Sequence, residues 1–149
     1  MKPKIYLCGR ISGLTYSESQ IWRRFVEAEL GYNFELLNPM RDKKELDQKE
    51  ELHGAYPEHI LCRHDLIMLR DSLDIERADV VLVYVHPEKG LGRASFVEIG
   101  FALAKQKPII VVDSQGSLRE HAFFKTMPRL VFEDTFEEAF IVLRSLFNI

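Results

Sequence analysis

The run Lys89-Gly90-Leu91-Gly92-Arg93-Ala94-Ser95-Phe96-Val97-Glu98-Ile99-Gly100 holds the side chain best placed to do chemistry, Glu98, its only carboxylate. The run follows the apolar residues Val80 to Val85 and leads into a helix-like segment, Phe101 to Lys105, so it reads as a strand, a glycine loop and a helix start. Ligands bind at such junctions in open α/β sheets. Near the first turn of a helix the macrodipole favours an ionised carboxylate and lowers its pKa, and an ionised carboxylate beside a flexible loop can act as a nucleophile. Acidic residues also gather at helix starts for capping reasons alone, so position by itself leaves both readings open.

Other candidates fall into three loops, Gly9 to Gly13, Asn38 to Arg41 and His86 to Ser95. Gly9, Gly13, Gly90 and Gly92 allow a backbone to approach a ligand closely, and Arg10, Ser12, Arg93 and Ser95 can donate hydrogen bonds to a phosphate or a sugar. Neither standard nucleotide fingerprint fits. Gly90-Leu91-Gly92 follows the third predicted strand instead of the first and lacks the third glycine, and no Gly-Lys-Ser/Thr occurs. His53, His59, His64, His86 and His121 match no zinc spacing, and Ser12, Ser95 and Ser114 lie in no nucleophile elbow, so neither a metal, a cofactor nor a serine triad is expected. Asp71 and Asp74, taken alone, read as a solvated helix face.

These residues need elements to position them. Lys4 to Cys8 predicts the first strand, stopped by Gly9. Ser17 and Gln20 resemble a capping box, and Ile21, Phe25 and Ala28 at helical spacing predict a helix over 17–30, ended by Gly31. Phe34 to Leu37 predicts a second strand, closed by Asn38-Pro39. From Arg41 to Glu58 the composition turns charged and reads as a solvated loop or exposed helix, or as a mobile lid over the site. A helix over 58–76 precedes the third strand; Ile109 to Val112 is a buried fourth strand; residues 113–128 leave room for one short helix. Leu130 to Phe132 is a brief fifth strand, and Thr135 with Glu138 opens a final amphipathic helix. Alternating strands and helices predict one α/β domain over 1–149, flavodoxin- or Rossmann-like, with a five-stranded parallel sheet in the order 2-1-3-4-5 and helices on both faces.

Composition bounds the function. A chain of 149 residues with a net charge of −3 and pI near 6.0 lacks the basic footprint of nucleic-acid binding and favours small-molecule partners. Two cysteines, Cys8 and Cys62, are too few for a disulfide scaffold and fit a reducing cytoplasm. No apolar run approaches the ~20 residues that span a bilayer, and no targeting segment is visible.

Ile5-Tyr6-Leu7-Cys8-Gly9, Asn38-Pro39-Met40-Arg41, Arg70-Asp71-x-x-Asp74-Ile75-x-x-Ala78-Asp79 and the glycine run through Lys107-Pro108 occur in one order that resembles the nucleoside 2-deoxyribosyltransferase family, over roughly residues 4–112. The Tyr-x-Cys-Gly start also resembles the branch that hydrolyses nucleoside 5′-monophosphates. The resemblance implies Glu98 as nucleophile and Asp71 as the carboxylate assisting proton transfer at the base. It implies a substrate-binding set of Tyr6, Gly9, Arg10, Ser12, Met40, Asp74, Gly92, Arg93 and Ser95, no cofactor, and a homo-oligomer whose site a neighbouring subunit completes. The expected activity is transfer of 2-deoxyribose between bases; the alternatives are 5′-monophosphate N-glycosidase activity and a non-catalytic nucleotide-binding domain. Transferases of the family often carry an acidic residue shortly before the nucleophile, whereas Lys89, Leu91 and Arg93 occupy that region here.

Overall fold

Alternation along the first strand decides how the sheet is covered. In the computed structural model, which describes residues 1–149, β1 (Lys4–Gly9) sends Ile5 and Leu7 to one face and Tyr6 and Cys8 to the other. The other strands are β2 (Glu35–Leu37), β3 (Val80–Tyr84), β4 (Ile109–Val112) and β5 (Leu130–Glu133). All pair in parallel, in the order β2-β1-β3-β4-β5, as the sequence predicted. On the Ile5 face lie α1 (Tyr16–Leu30) and α4 (Phe136–Leu146), through Trp22, Val26, Leu30, Ala139, Phe140 and Leu143. On the Tyr6 face lie α2 (His64–Arg77) and α3 (Arg93–Ala104), through Ile75, Ile99 and Ala102. The chain runs from β1 to one neighbour and returns past it to β3, so the switch point lies at the C-terminal ends of β1 and β3, between Gly9 and Tyr84.

Several helix boundaries and faces differ from the sequence reading. The capping box of α1 is Thr15 with Glu18, two residues before the expected pair: the Thr15 hydroxyl accepts from Glu18 N at 3.1 Å and Glu18 Oε2 accepts from Thr15 N at 3.3 Å. The buried face of α1 carries Ser19, Trp22, Arg23 and Val26, while Ile21 is 66% exposed and Phe25 and Ala28 also face out. The expected helix over 58–76 divides into a 3₁₀ turn, Ile60–Cys62, and α2 beginning at His64. Residues 113–128 hold turns and no helix; Asp113 organises them by accepting from Leu118 N and Arg119 N at 2.9 and 3.0 Å. Thr135 caps α4, but Glu138 accepts from Asp134 N, so the reciprocal half of the box closes one residue early.

The charged segment after β2 is anchored to the body of the protein. It contains a 3₁₀ helix, Lys44–Gln48, and buries Met40, Leu46 and Leu52 with Tyr16 and Cys62 in a cluster of their own. Leu52 exchanges backbone hydrogen bonds with the β1–α1 loop, receiving from Gly13 N and donating to Leu14 O, both at 2.8 Å. No helix is long and apolar enough to cross a membrane.

Candidate active site

The β3–α3 connection sets the position of Glu98. Gly90 has φ +65°, a conformation that disfavours side chains, and its N–H closes a turn onto His86 O at 2.9 Å. Gly92 is the N-cap of α3, which starts at Arg93, eight residues earlier than Phe101. Glu98 therefore stands in the second turn, where the helix dipole has faded. The expectation of a carboxylate held ionised by a helix start is overturned. Burial pushes the Glu98 carboxyl up to about 7, and the nearby charge of Asp71 pushes the same way; the Tyr6 hydroxyl, Arg23 and the Cys8 thiol favour the ionised form and offset part of the rise.

Asp71 comes from α2, which packs beside α3 on the same face of the sheet. It is 8% exposed and one of its oxygens, Oδ1, is buried with no hydrogen-bond partner. Burial raises it to about 6, opposed chiefly by the Lys43 ammonium. Asp71 and Glu98 line one cavity of about 370 Å³, together with Ser12 and Met40. Its remaining wall is largely apolar, from Leu46, Leu52, Ile67, Met68, Ile75 and Phe101. Two carboxyls brought from facing helices to one apolar cavity can divide the roles of nucleophile and proton carrier. No three His, Cys, Asp or Glu side chains converge as metal ligands.

β1 lies behind Glu98, outside the cavity lining. Tyr6 and Cys8 are fully buried and face α3, and both hydroxyl and thiol are pushed up, first by burial and then by the charge of Glu98. The Tyr6 hydroxyl lies near Glu98 but outside hydrogen-bond geometry to any partner. The Cys8 thiol donates to Ser95 O at 3.8 Å.

The other expected site residues divide between the cavity and its supports. Gly9 is buried at the end of β1, and a Cβ there would sit 2.8 Å from Cζ2 of Trp22, so the indole by itself already demands glycine. Its carbonyl accepts from Nη2 of the fully buried Arg23 at 3.1 Å. Arg10 runs between the loops: a Cβ at Gly92 would lie 3.6 Å from its Nη1, and its Nε is buried without a partner. Arg93 is exposed at the start of α3, Ser95 is buried, and neither they nor Gly92 line the cavity. Asp74 is 2% exposed, does not line the cavity, and is engaged by Arg41 and Arg77 as an anchor between α2 and the segment after β2.

One cavity residue escaped the sequence reading. Lys43 belongs to the charged run 41–51, which reads as solvated, yet it is 4% exposed and lines the cavity beside Asp71. Burial lowers its pKa and Asp71 opposes the shift. Its ammonium has no hydrogen-bond or ion-pair partner and is not among the sealed polar atoms, which leaves it open to the cavity. Only the spacing of Met40, Lys43 and Leu46, three residues apart on one turn, hinted that it turns inward.

The sequence profile described as nucleoside 2-deoxyribosyltransferase matches residues 5–127. No curated protein matches the chain. Among solved structures, the chain resembles a 2-desoxiribosyltransferase from Leishmania mexicana (TM-score 0.58, 17% identity, covering 94% of this chain and 95% of that one). It also resembles the solution structure of BlsM (TM-score 0.62, 20% identity, 93% and 84% covered) and the CMP N-glycosidase BcmB of Clostridium botulinum (TM-score 0.50, 13% identity, 94% and 97% covered). At these identities the likeness is one of fold.

Proposed function

Because this chain belongs to the nucleoside 2-deoxyribosyltransferase family, we propose that it breaks the N-glycosidic bond of a 2′-deoxynucleoside, holds the sugar on Glu98 and passes it to a second base. A Glu98 carboxylate oxygen bonds to C1′ as the C1′–N bond breaks through an oxocarbenium-like centre. The bond's electron pair leaves with the base, and the proton carried by Asp71 neutralises it. In the second step an acceptor base displaces the Glu98 carboxylate from C1′ and returns its proton to Asp71. The observation that carries this reading is the meeting of Asp71 and Glu98 on one apolar cavity, both lifted by burial so that around neutral pH the two hold one proton between them. Glu98 is lifted further than Asp71, the reverse of the order the reaction uses. Positive charge developing at C1′ favours the Glu98 carboxylate and restores the working order.

A second reading is hydrolysis of a nucleoside 5′-monophosphate, with water as acceptor. It is favoured by Arg10, whose buried Nε lacks a partner and whose guanidinium lies against Gly92 at the start of α3, with Ser12 on the adjoining cavity wall. We place the protein in the cytoplasm, as its two free, buried cysteines suggest. We also propose a homo-oligomer, supported by Met68, Leu69 and Leu73 of α2 and Val97 of α3, all exposed beside the cavity.

The test is one mixed incubation of deoxynucleosides, their 5′-monophosphates and free bases, with wild type and Glu98→Gln. Exchanged nucleosides that vanish with Glu98→Gln support transfer. Faster cleavage of monophosphates without exchange replaces it by the hydrolase. Ligand binding with no turnover in either protein identifies a non-catalytic binding domain and removes both.

A further inference from the structure

Lys43 is a cation in the wrong place for a structural one. A buried lysine ordinarily has a carboxylate or several carbonyls around its ammonium, because desolvating an unpaired charge is costly. Lys43 is 4% exposed, with neither an ion pair nor a hydrogen bond, and it stands on the wall of the cavity that Asp71 and Glu98 share. The segment bearing it is fixed on both sides. Arg41, two residues before, is held by Asp74, and Arg70 of α2 donates to Arg41 O at 3.2 Å. Leu46, three residues after, is buried beneath it. Lys43 is thus aimed into the cavity by its neighbours, with all three ammonium protons unspent.

Position along the cavity says which part of a substrate meets it. Arg70 and Asp74, which flank Asp71 on α2, hold Arg41 through a hydrogen bond to its carbonyl and an ion pair to its guanidinium, so the segment bearing Lys43 is tied to the Asp71 side of the cavity, and Lys43 is the foremost charge opposing the Asp71 rise. Lys43 therefore belongs to the Asp71 end, where the leaving base sits, and not to the C1′ end. This inference rests on the N-glycosidic reading above. A base that leaves with an electron pair spreads negative charge onto any ring carbonyl conjugated with the glycosidic nitrogen. An ammonium can only donate, so it rewards a carbonyl oxygen and is repelled by a base that is protonated, and so cationic, before it leaves or that presents an amino group there.

We propose that Lys43 is the specificity-determining residue of this site and selects oxo-bases, the pyrimidine-diones and 6-oxopurines, over adenine. In the bound complex its ammonium donates to a carbonyl oxygen of the base while Asp71 delivers the proton to a ring nitrogen.

The experiment compares wild type with Lys43→Met and Lys43→Gln on paired substrates, deoxyuridine and deoxyinosine against deoxyadenosine. A second arm measures binding of free uracil, hypoxanthine and adenine by calorimetry, which needs no turnover. Wild type is expected to favour the oxo-bases, and Lys43→Met to lower their kcat/KM relative to that for adenine by roughly 10- to 100-fold, the ratio being the readout because loss of the charge beside Asp71 acts on all three substrates alike. The retained adenine reaction shows that the variant is folded, and Lys43→Gln, which keeps a donor, falls between. Equal loss on all three substrates, or a wild type that prefers adenine in either arm, overturns the assignment and leaves the N-glycosidic activity standing. Absence of turnover by wild type overturns that activity, and the free-base arm then decides Lys43 alone.

Discussion

Asp74 of α2 accepts from both terminal nitrogens of Arg41, with Nη2 to Oδ1 at 3.1 Å, and forms an ion pair with Nη2 of Arg77 at 2.7 Å. The first of these pairs fastens the segment after β2, which carries Met40 and Lys43, onto the helix that carries Asp71. Asp74→Asn leaves two arginines with weakened partners, and because both are partly exposed and can rehydrate, the expected loss is about 1–3 kcal/mol. Urea unfolding measures it. The loosened segment should also raise KM severalfold with kcat nearly kept, whereas Asp71→Asn should lower kcat; a collapse of kcat in Asp74→Asn would make it a participant in the chemistry.

The lifted carboxyls predict a gain of stability when they are neutralised. Both have folded-state values above the ordinary carboxylate range, about 7 for Glu98 and about 6 for Asp71, so the folded protein binds these protons more tightly than the unfolded chain. Their favourable contribution is complete below the unfolded value near 4 and is lost as pH rises through 6 to 7. At pH 8 Glu98→Gln should therefore be more stable than wild type, by about 1–3 kcal/mol, and at pH 4 the difference should disappear. Thermal unfolding across that range checks the sign. The same variant should lose at least ~1000-fold in turnover, since an amide forms no glycosyl ester.

Gly9 and Trp22 give a prediction about packing. A Cβ at Gly9 would meet the indole at 2.8 Å, and that indole is itself held by Tyr84 and Phe136 at centroid distances of 5.3 and 6.1 Å. Gly9→Ala should cost about 1–3 kcal/mol by forcing the ring aside. Gly9→Ala combined with Trp22→Leu should recover part of the loss; additive losses in the double variant would show that the contact is not the cause.

What could be read from sequence follows from which signals are local. Apolar runs without alternation marked the buried parallel strands, and the order of elements limited the topology to few choices. Glu98 and Asp71 were found because short motifs surround them. The face of α1 was misread because Ile21 and Phe25 keep helical spacing as well as Trp22 and Val26 do. The true core face contains Arg23, a residue type that reads as surface until Gly9 O, Ser19 O and the Trp22 ring are seen to enclose its guanidinium. The start of α3 was placed late because its N-cap is a glycine with no side-chain cap. Lys43 was hidden for the opposite reason: eight other charges within 41–51 made the run look uniformly solvated, and burial of one lysine depends on the fold of the whole segment.

The shared proton of the carboxyl pair sets the pH dependence of the reaction. Turnover needs Glu98 ionised and Asp71 protonated, so kcat/KM for a deoxynucleoside should fall at acid pH, where both carboxyls carry protons, and at alkaline pH, where neither does. The values of about 6 and about 7 put the maximum between them. A nucleoside is the right substrate, because a phosphate would titrate in the same range. Tyr6 provides a control on the cause. Its hydroxyl lies near Glu98, favours the ionised form and makes no hydrogen bond elsewhere or to Glu98 at rest, so Tyr6→Phe removes that support while the ring keeps its place in the sheet. With the support gone the Glu98 carboxyl holds its proton to higher pH, so the alkaline limb should move upward in the variant while the acid limb, set by Asp71, keeps its place. An alkaline limb that keeps its position in Tyr6→Phe would mean that Glu98 does not set it, and a profile with one limb only would mean that a single group governs the rate and that Asp71 carries no essential proton.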